Sequence, residues 1–267
     1  MTPTLALLAA LSLGPHQAGP LTLTNVRATH GSLGPVRADN KVLPGDSVFL
    51  AFDIEGITVD PATGKVSYSM LTEIFDGKDK LLFKRDPQDQ ETINALGGNS
   101  VPAFVHLDCG LDQAPGEYVV KVTVTDRTAK RNASLSRKFQ VLPRDFGLVR
   151  LATTTDVEGN APAAVFGVGQ ALHVSCSVVS FERDKAKEQP DVTVELRVLD
   201  DKGKPVLTQP FTGQVNKDVP SNLRGLPLQF LVSLNRPGKF TVALKATDHL
   251  SKKTATLSFP LTVLPAK

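Results

Sequence analysis

Hydrophobic and polar residues alternate along most of this chain in short runs broken by Gly, Pro and Asp. In the clearest run, Tyr118, Val120, Val122 and Val124 fall on one face and Val119, Lys121, Thr123 and Thr125 on the other. A period of two marks a strand with one buried face. Pro115–Pro143 and Pro237–Pro265 both read this way and align without a gap, pairing Tyr118 with Phe240, Asp126 with Asp248, Ala133 with Ala255 and Val141 with Val263. One unit therefore occurs twice. Each copy predicts a terminal β-hairpin: Pro-Gly launches a strand that ends on Thr-Asp, a polar turn follows at 127–132 or 249–254, and a second alternating run closes it.

Upstream of the hairpins the pattern predicts strands at 21–27, 47–55 and 66–75, a short run at 80–83 and a strand near 105–111 in the first unit. The second unit predicts 146–153, 172–178, 192–199, 206–211 and an alternation through Leu228, Phe230, Val232 and Leu234. Loops are expected at 56–64 and 181–191, with long polar loops at 85–100 and 212–225. No helical period appears. About seven short strands per unit predict an all-β protein of two antiparallel β-sandwiches, with Val48, Phe52, Tyr118, Val120, Val122, Leu172, Cys176, Phe240, Val242 and Leu244 in their cores.

The openings Gly116-Glu117-Tyr118-Val119-Val120 and Gly238-Lys239-Phe240-Thr241-Val242 resemble the Gly-x-Tyr-x-Cys start of the penultimate strand in immunoglobulin-like domains. The chain thereby resembles the immunoglobulin-like superfamily, including the fibronectin type III-like modules that occur in tandem in bacterial extracellular proteins. The resemblance implies that Tyr118 places its hydroxyl in the family's tyrosine corner, a bond Phe240 cannot make. The chain departs from antibody domains in having no Trp and no matched Cys pair.

Length fits two domains of ordinary size, set here at 20–143 and 144–267. Residues 1–19 hold an apolar run, Leu5–Leu13, of signal-peptide length and too short to span a bilayer; they are read as a secretory signal despite the absence of a preceding Lys or Arg. The expected location is secreted, periplasmic or otherwise in the cell envelope, with no transmembrane segment. The linker Pro143-Arg144-Asp145 is too short for a free tether, so the domains are expected to stack with limited hinge motion. The first domain carries 14 basic and 15 acidic residues and the second 16 and 12, neither a nucleic-acid footprint.

No nucleophile elbow, P-loop, dinucleotide fingerprint or HExxH motif occurs, and no cofactor is implied. Cys109 and Cys176 align with core hydrophobes, Cys109 opposite Val232 and Cys176 opposite Phe52, and are read as buried free thiols rather than an interdomain bridge or a reactive Cys. The five histidines are scattered and read as solvent-facing. Asp126 and Asp248 recur after Thr and are weak metal candidates, calcium being the ion such loops bind; a carboxylate accepting turn N–H groups is the competing account. Lys130, Arg131, Lys252 and Lys253 form the candidate partner-binding turns, at the loop ends where such sandwiches bind.

The leading expectation is a non-enzymatic scaffold or interaction protein whose partner is another protein or a cell-envelope component. An enzyme or inhibitor with a site in the loops 85–100 and 212–225 is the alternative. A carbohydrate-binding module ranks below, because sugars stack on exposed aromatics and this chain has two Tyr and no Trp.

Overall fold

The computed structural model describes residues 19–266, so the signal-peptide reading and His16 lie outside the described residues. Every regular element among them is a strand. The first half contains β1 (Thr22–Thr29), β2 (Lys41–Val42), β3 (Ser47–Glu55), β4 (Lys65–Asp76), β5 (Leu81–Ile93), β6 (Ser100–Asp108), β7 (Gly116–Asp126) and β8 (Arg131–Val141). The second contains β9 (Gly147–Thr154), β10 (Val165–Gly167), β11 (Ala171–Val179), β12 (Val192–Leu199), β13 (Phe211–Val215), β14 (Gly225–Ser233), β15 (Gly238–Asp248) and β16 (Thr254–Leu264).

Each half folds as two sheets with one topology. The orders β1-β3-β6 and β2-β8-β7-β4-β5 in the first half correspond to β9-β11-β14 and β10-β16-β15-β12-β13 in the second. Inward residues of the two sheets form one core per half. Leu50, Phe52 and Ile54 meet Val66, Val122 and Val124 in the first; Leu172, Val174 and Cys176 meet Leu196, Val242 and Leu244 in the second. The repeat extends to the backbone. Asn25 and Arg150 adopt left-handed conformations at matching points of β1 and β9, as do Lys130 and Lys252 in the hairpin turns.

Several expectations are corrected. Residues 85–93 are not loop: β5 runs on to Ile93, paired with β4 on one side only and exposed along nearly its whole length, so burial imposes no alternation on its sequence. Likewise the strand expected at 206–211 is irregular up to Phe211, where β13 begins and runs on through 212–215 of the expected loop; Val206 and Leu207 are exposed, and Val206 is tied to β12 by a single amide bond to Val198 O. Beyond these strands, 94–99 and 216–224 remain turn and loop. The strand near 105–111 lies at 100–108, which shifts the alignment by two residues: Leu107 faces Val48 as Val232 faces Leu172, so Cys109 corresponds to Leu234 and is only half-buried. Tyr118 and Phe240 are also half-buried, while the other eight predicted core residues are buried. Finally, β2 and β10 are two and three residues long and pair in parallel with β8 and β16, too short to leave a pattern.

Candidate interaction surfaces

Aspartates shape the turns at both ends of each sandwich. Asp60 Oδ1 accepts the Ala62 and Thr63 amides, and Asp184 Oδ1 those of Ala186 and Lys187. In the next turn Asp76 accepts from the Lys78 and Lys80 amides, and Asp200 from those of Lys202 and Lys204. A short carboxylate reaching amides two to four residues ahead is the Asx-turn device. Sequence reading saw only the third pair, Asp126 and Asp248, although Asp60/Asp184 and Asp76/Asp200 recur at a constant spacing of their own.

Asp126 and Asp248 are fully buried. Asp126 Oδ1 accepts from Thr128 and Ala129, and Oδ2 from the Thr58 amide and hydroxyl and from Arg131 Nη2 at 3.2 Å. Asp248 accepts from the amides of Leu250, Ser251 and Glu182 and from the Ser251 hydroxyl. Each thus ties its hairpin turn to the loop after the second long strand. Burial opposes ionisation of both carboxyls, but these bonds outweigh it and hold each below the ordinary value of 3.8. Their lone pairs are engaged by protein donors, and among the described residues no three His, Cys, Asp or Glu side chains gather as a metal shell.

The four candidate basic residues divide into two bound and two free. Arg131 is a clamp, donating to Gly19 O, Gly56 O and Asp126. Lys253 pairs with Asp145 of the linker at 2.7 Å. Lys130 and Lys252 are exposed at the left-handed turn positions. The structure does not bring the two turns together: the first touches the start of the described chain, the second the linker.

The junction between the sandwiches centres on Asp46, buried in the turn before β3. Its Oδ1 accepts the amides of Ser47 and of Arg150 in β9, and its Oδ2 accepts Arg37 Nη2 at 2.8 Å. Arg150 Nε donates to Gly45 O, and Arg224 grips Asp112 through two bonds of 2.8 and 2.6 Å. Gly45 has φ +95°, and a Cβ there would lie 2.8 Å from Leu111 and 3.2 Å from Val179 of β11. His30, in the loop resting near Ala152, is buried rather than solvent-facing; burial, then the nearby Arg37 charge, lowers its pKa from 6.5 to about 3.

Both thiols are free, each packed on a different core, and burial pushes Cys176 up to about 12. The first-sandwich thiol lies at a groove. Each sandwich opens on the side of two of its edge strands, β5 and β6 in the first, β13 and β14 in the second. The first groove, about 450 Å³, takes in Leu82, Phe83, His106, Cys109 and Tyr118. The second, about 310 Å³, takes in Val206, Leu207, Phe211, Leu231 and Phe240. Beside the first groove the Tyr118 hydroxyl donates to Ala114 O at 2.8 Å, four residues upstream. That is the tyrosine corner, on the penultimate strand of a two-sheet sandwich. Both halves are immunoglobulin-like β-sandwiches.

No protein-family model and no curated protein matches the chain. Among solved structures it is similar to the C-terminal domain of the AgI/II polypeptide BspA of Streptococcus agalactiae (8% identity, TM-score 0.31, covering 91% of this chain and 100% of that one). It is similar also to the C-terminal domain of the antigen I/II-family protein AspA of Streptococcus pyogenes (7%, 0.28, 91% and 100%). The fibronectin(III)-like modules of Clostridium thermocellum CbhA give 13% identity and a TM-score of 0.24, over 90% of this chain and 95% of that one.

Proposed function

We propose that this chain is a non-catalytic scaffold of the secreted or cell-envelope space, two immunoglobulin-like domains at 20–143 and 144–267 held in fixed relation so that their open grooves face a protein partner. The observation that carries this reading is how the charged groups are used. Asp126 and Asp248 hold turns, and Asp46, Arg150, Arg224 and Asp112 hold one sandwich against the other. The two grooves and the exposed turn lysines Lys130 and Lys252 lie outside these networks. The apolar run Leu5–Leu13 supports export.

Two measurements test the reading. Incubation with panels of ester, amide, phosphoester and glycoside substrates should give rates indistinguishable from buffer; turnover abolished by one surface substitution in 94–100 or 216–225 would replace it with an enzyme. Fractionation of expressing cells should place the protein outside the cytoplasm.

A further inference from the structure

We propose that the second groove, between β13 and β14, takes an extended acidic peptide segment by strand addition. This rests on the interaction reading and names the chemistry of the partner.

The two grooves share their architecture but not their charge. By strand register Arg197 stands where the first sandwich has Glu73, and Arg236 stands where it has Ala114. Among the described residues the second groove is lined by these two guanidinium groups and by no carboxylate, whereas the first sets Arg85 and His106 against Asp108. Arg197 donates one N–H to Thr208 O at 3.1 Å. Arg236 lies over the Phe240 ring, its Cζ 5.1 Å from the ring centroid. That seat exists because Phe240 has no hydroxyl; the corresponding Tyr118 is tied to Ala114 O.

The floor between the arginines is apolar and open: Leu207 is 55% exposed, Leu231 54%, Val206 40% and Phe211 36%. One wall is Val206, Leu207, Gln209 and Phe211, where the chain enters β13, and the other is the C-terminal end of β14. β13 pairs only with β12, and β14 only with β11, so each has an unpaired edge. The edge of the first groove is blunted, since β5 carries Lys84, Asp86 and Pro87. β13, Phe-Thr-Gly-Gln-Val, has neither charge nor proline. An extended guest gains main-chain bonds at such an edge, sets alternate apolar side chains on the floor and offers carboxylates to Arg197 and Arg236.

The test titrates the full two-sandwich protein into a labelled, capped ten-residue peptide alternating valine and threonine with two glutamates, and into its lysine counterpart, read by fluorescence anisotropy. The glutamate peptide should bind saturably, about ten-fold or more tighter than the lysine peptide, a difference of about 1.4 kcal/mol. Arg197→Gln and Arg236→Gln, both with unchanged far-UV circular dichroism, should each weaken it about five-fold, and amide shift changes should stay within β13, β14 and the turn at Arg236. Equal binding of the two peptides, binding of neither, shifts in the first sandwich, or saturable oleate binding without peptide binding would overturn the proposal. None of these outcomes bears on turnover or on the Asp46 junction, so this inference and the scaffold reading fail separately.

Discussion

Asp126 and Asp248 occupy the same turn but are held by different partners, and their substitutions should differ accordingly. Asp126→Ala leaves the Thr58, Thr128 and Ala129 donors unsatisfied and removes one charge-assisted bond from Arg131, which keeps Gly19 O and Gly56 O, and should cost about 3 kcal/mol. Among the described residues no cation bonds to Asp248, and Asp248→Ala should cost about 1–3 kcal/mol for the unsatisfied donors. Urea midpoints measure both; equal losses would mean that Arg131 adds nothing. Both carboxyls titrate below 3.8 when folded, so their contribution is full above that pH and disappears as pH falls through the lower folded values. His30 acts at higher pH with the same sign. Its folded pKa of about 3 lies below the unfolded 6.5, so between those values the unfolded chain binds the extra proton and stability falls on acidification, by at most about 1.4 kcal/mol per pH unit. His30→Leu should flatten the stability profile between pH 6.5 and 4.

Strands with one buried face were legible in the sequence, because burial on one side writes period two into the residues. β3, β7, β12 and β15 fall within a residue of the pattern. β5 and β13 were not legible, since an edge strand exposed to water has no face that must be apolar. Of the candidate site, the hairpin turns and their partner loops were readable from the repeat. Asp46 was not, because its defining contact is the amide of Arg150, 104 residues away, and leaves no local pattern. The charges and proline of β5 have a testable role at this scale. Lys84→Val, Asp86→Val and Pro87→Val together should leave a long unguarded edge that associates with rising concentration, seen as increased light scattering relative to the unsubstituted protein. Equal scattering would show that the bulge in its pairing with β4 suffices to protect the edge.

At the scale of the whole molecule the account depends on the junction. Arg224–Asp112 is exposed and weakens with salt, whereas the Asp46 network is buried and is the part that should persist. Gly45→Ala places a Cβ against Leu111 and Val179 at a left-handed φ and should cost about 1–3 kcal/mol, mostly in contact between the sandwiches. Asp46→Ala should loosen the pair while leaving each core intact. Residual dipolar couplings from both sandwiches test this most directly. Amides of 21–141 and 146–263 should fit one shared alignment tensor, and Asp46→Ala should split it into two of unequal magnitude; two independent tensors in the unsubstituted protein would contradict a fixed scaffold.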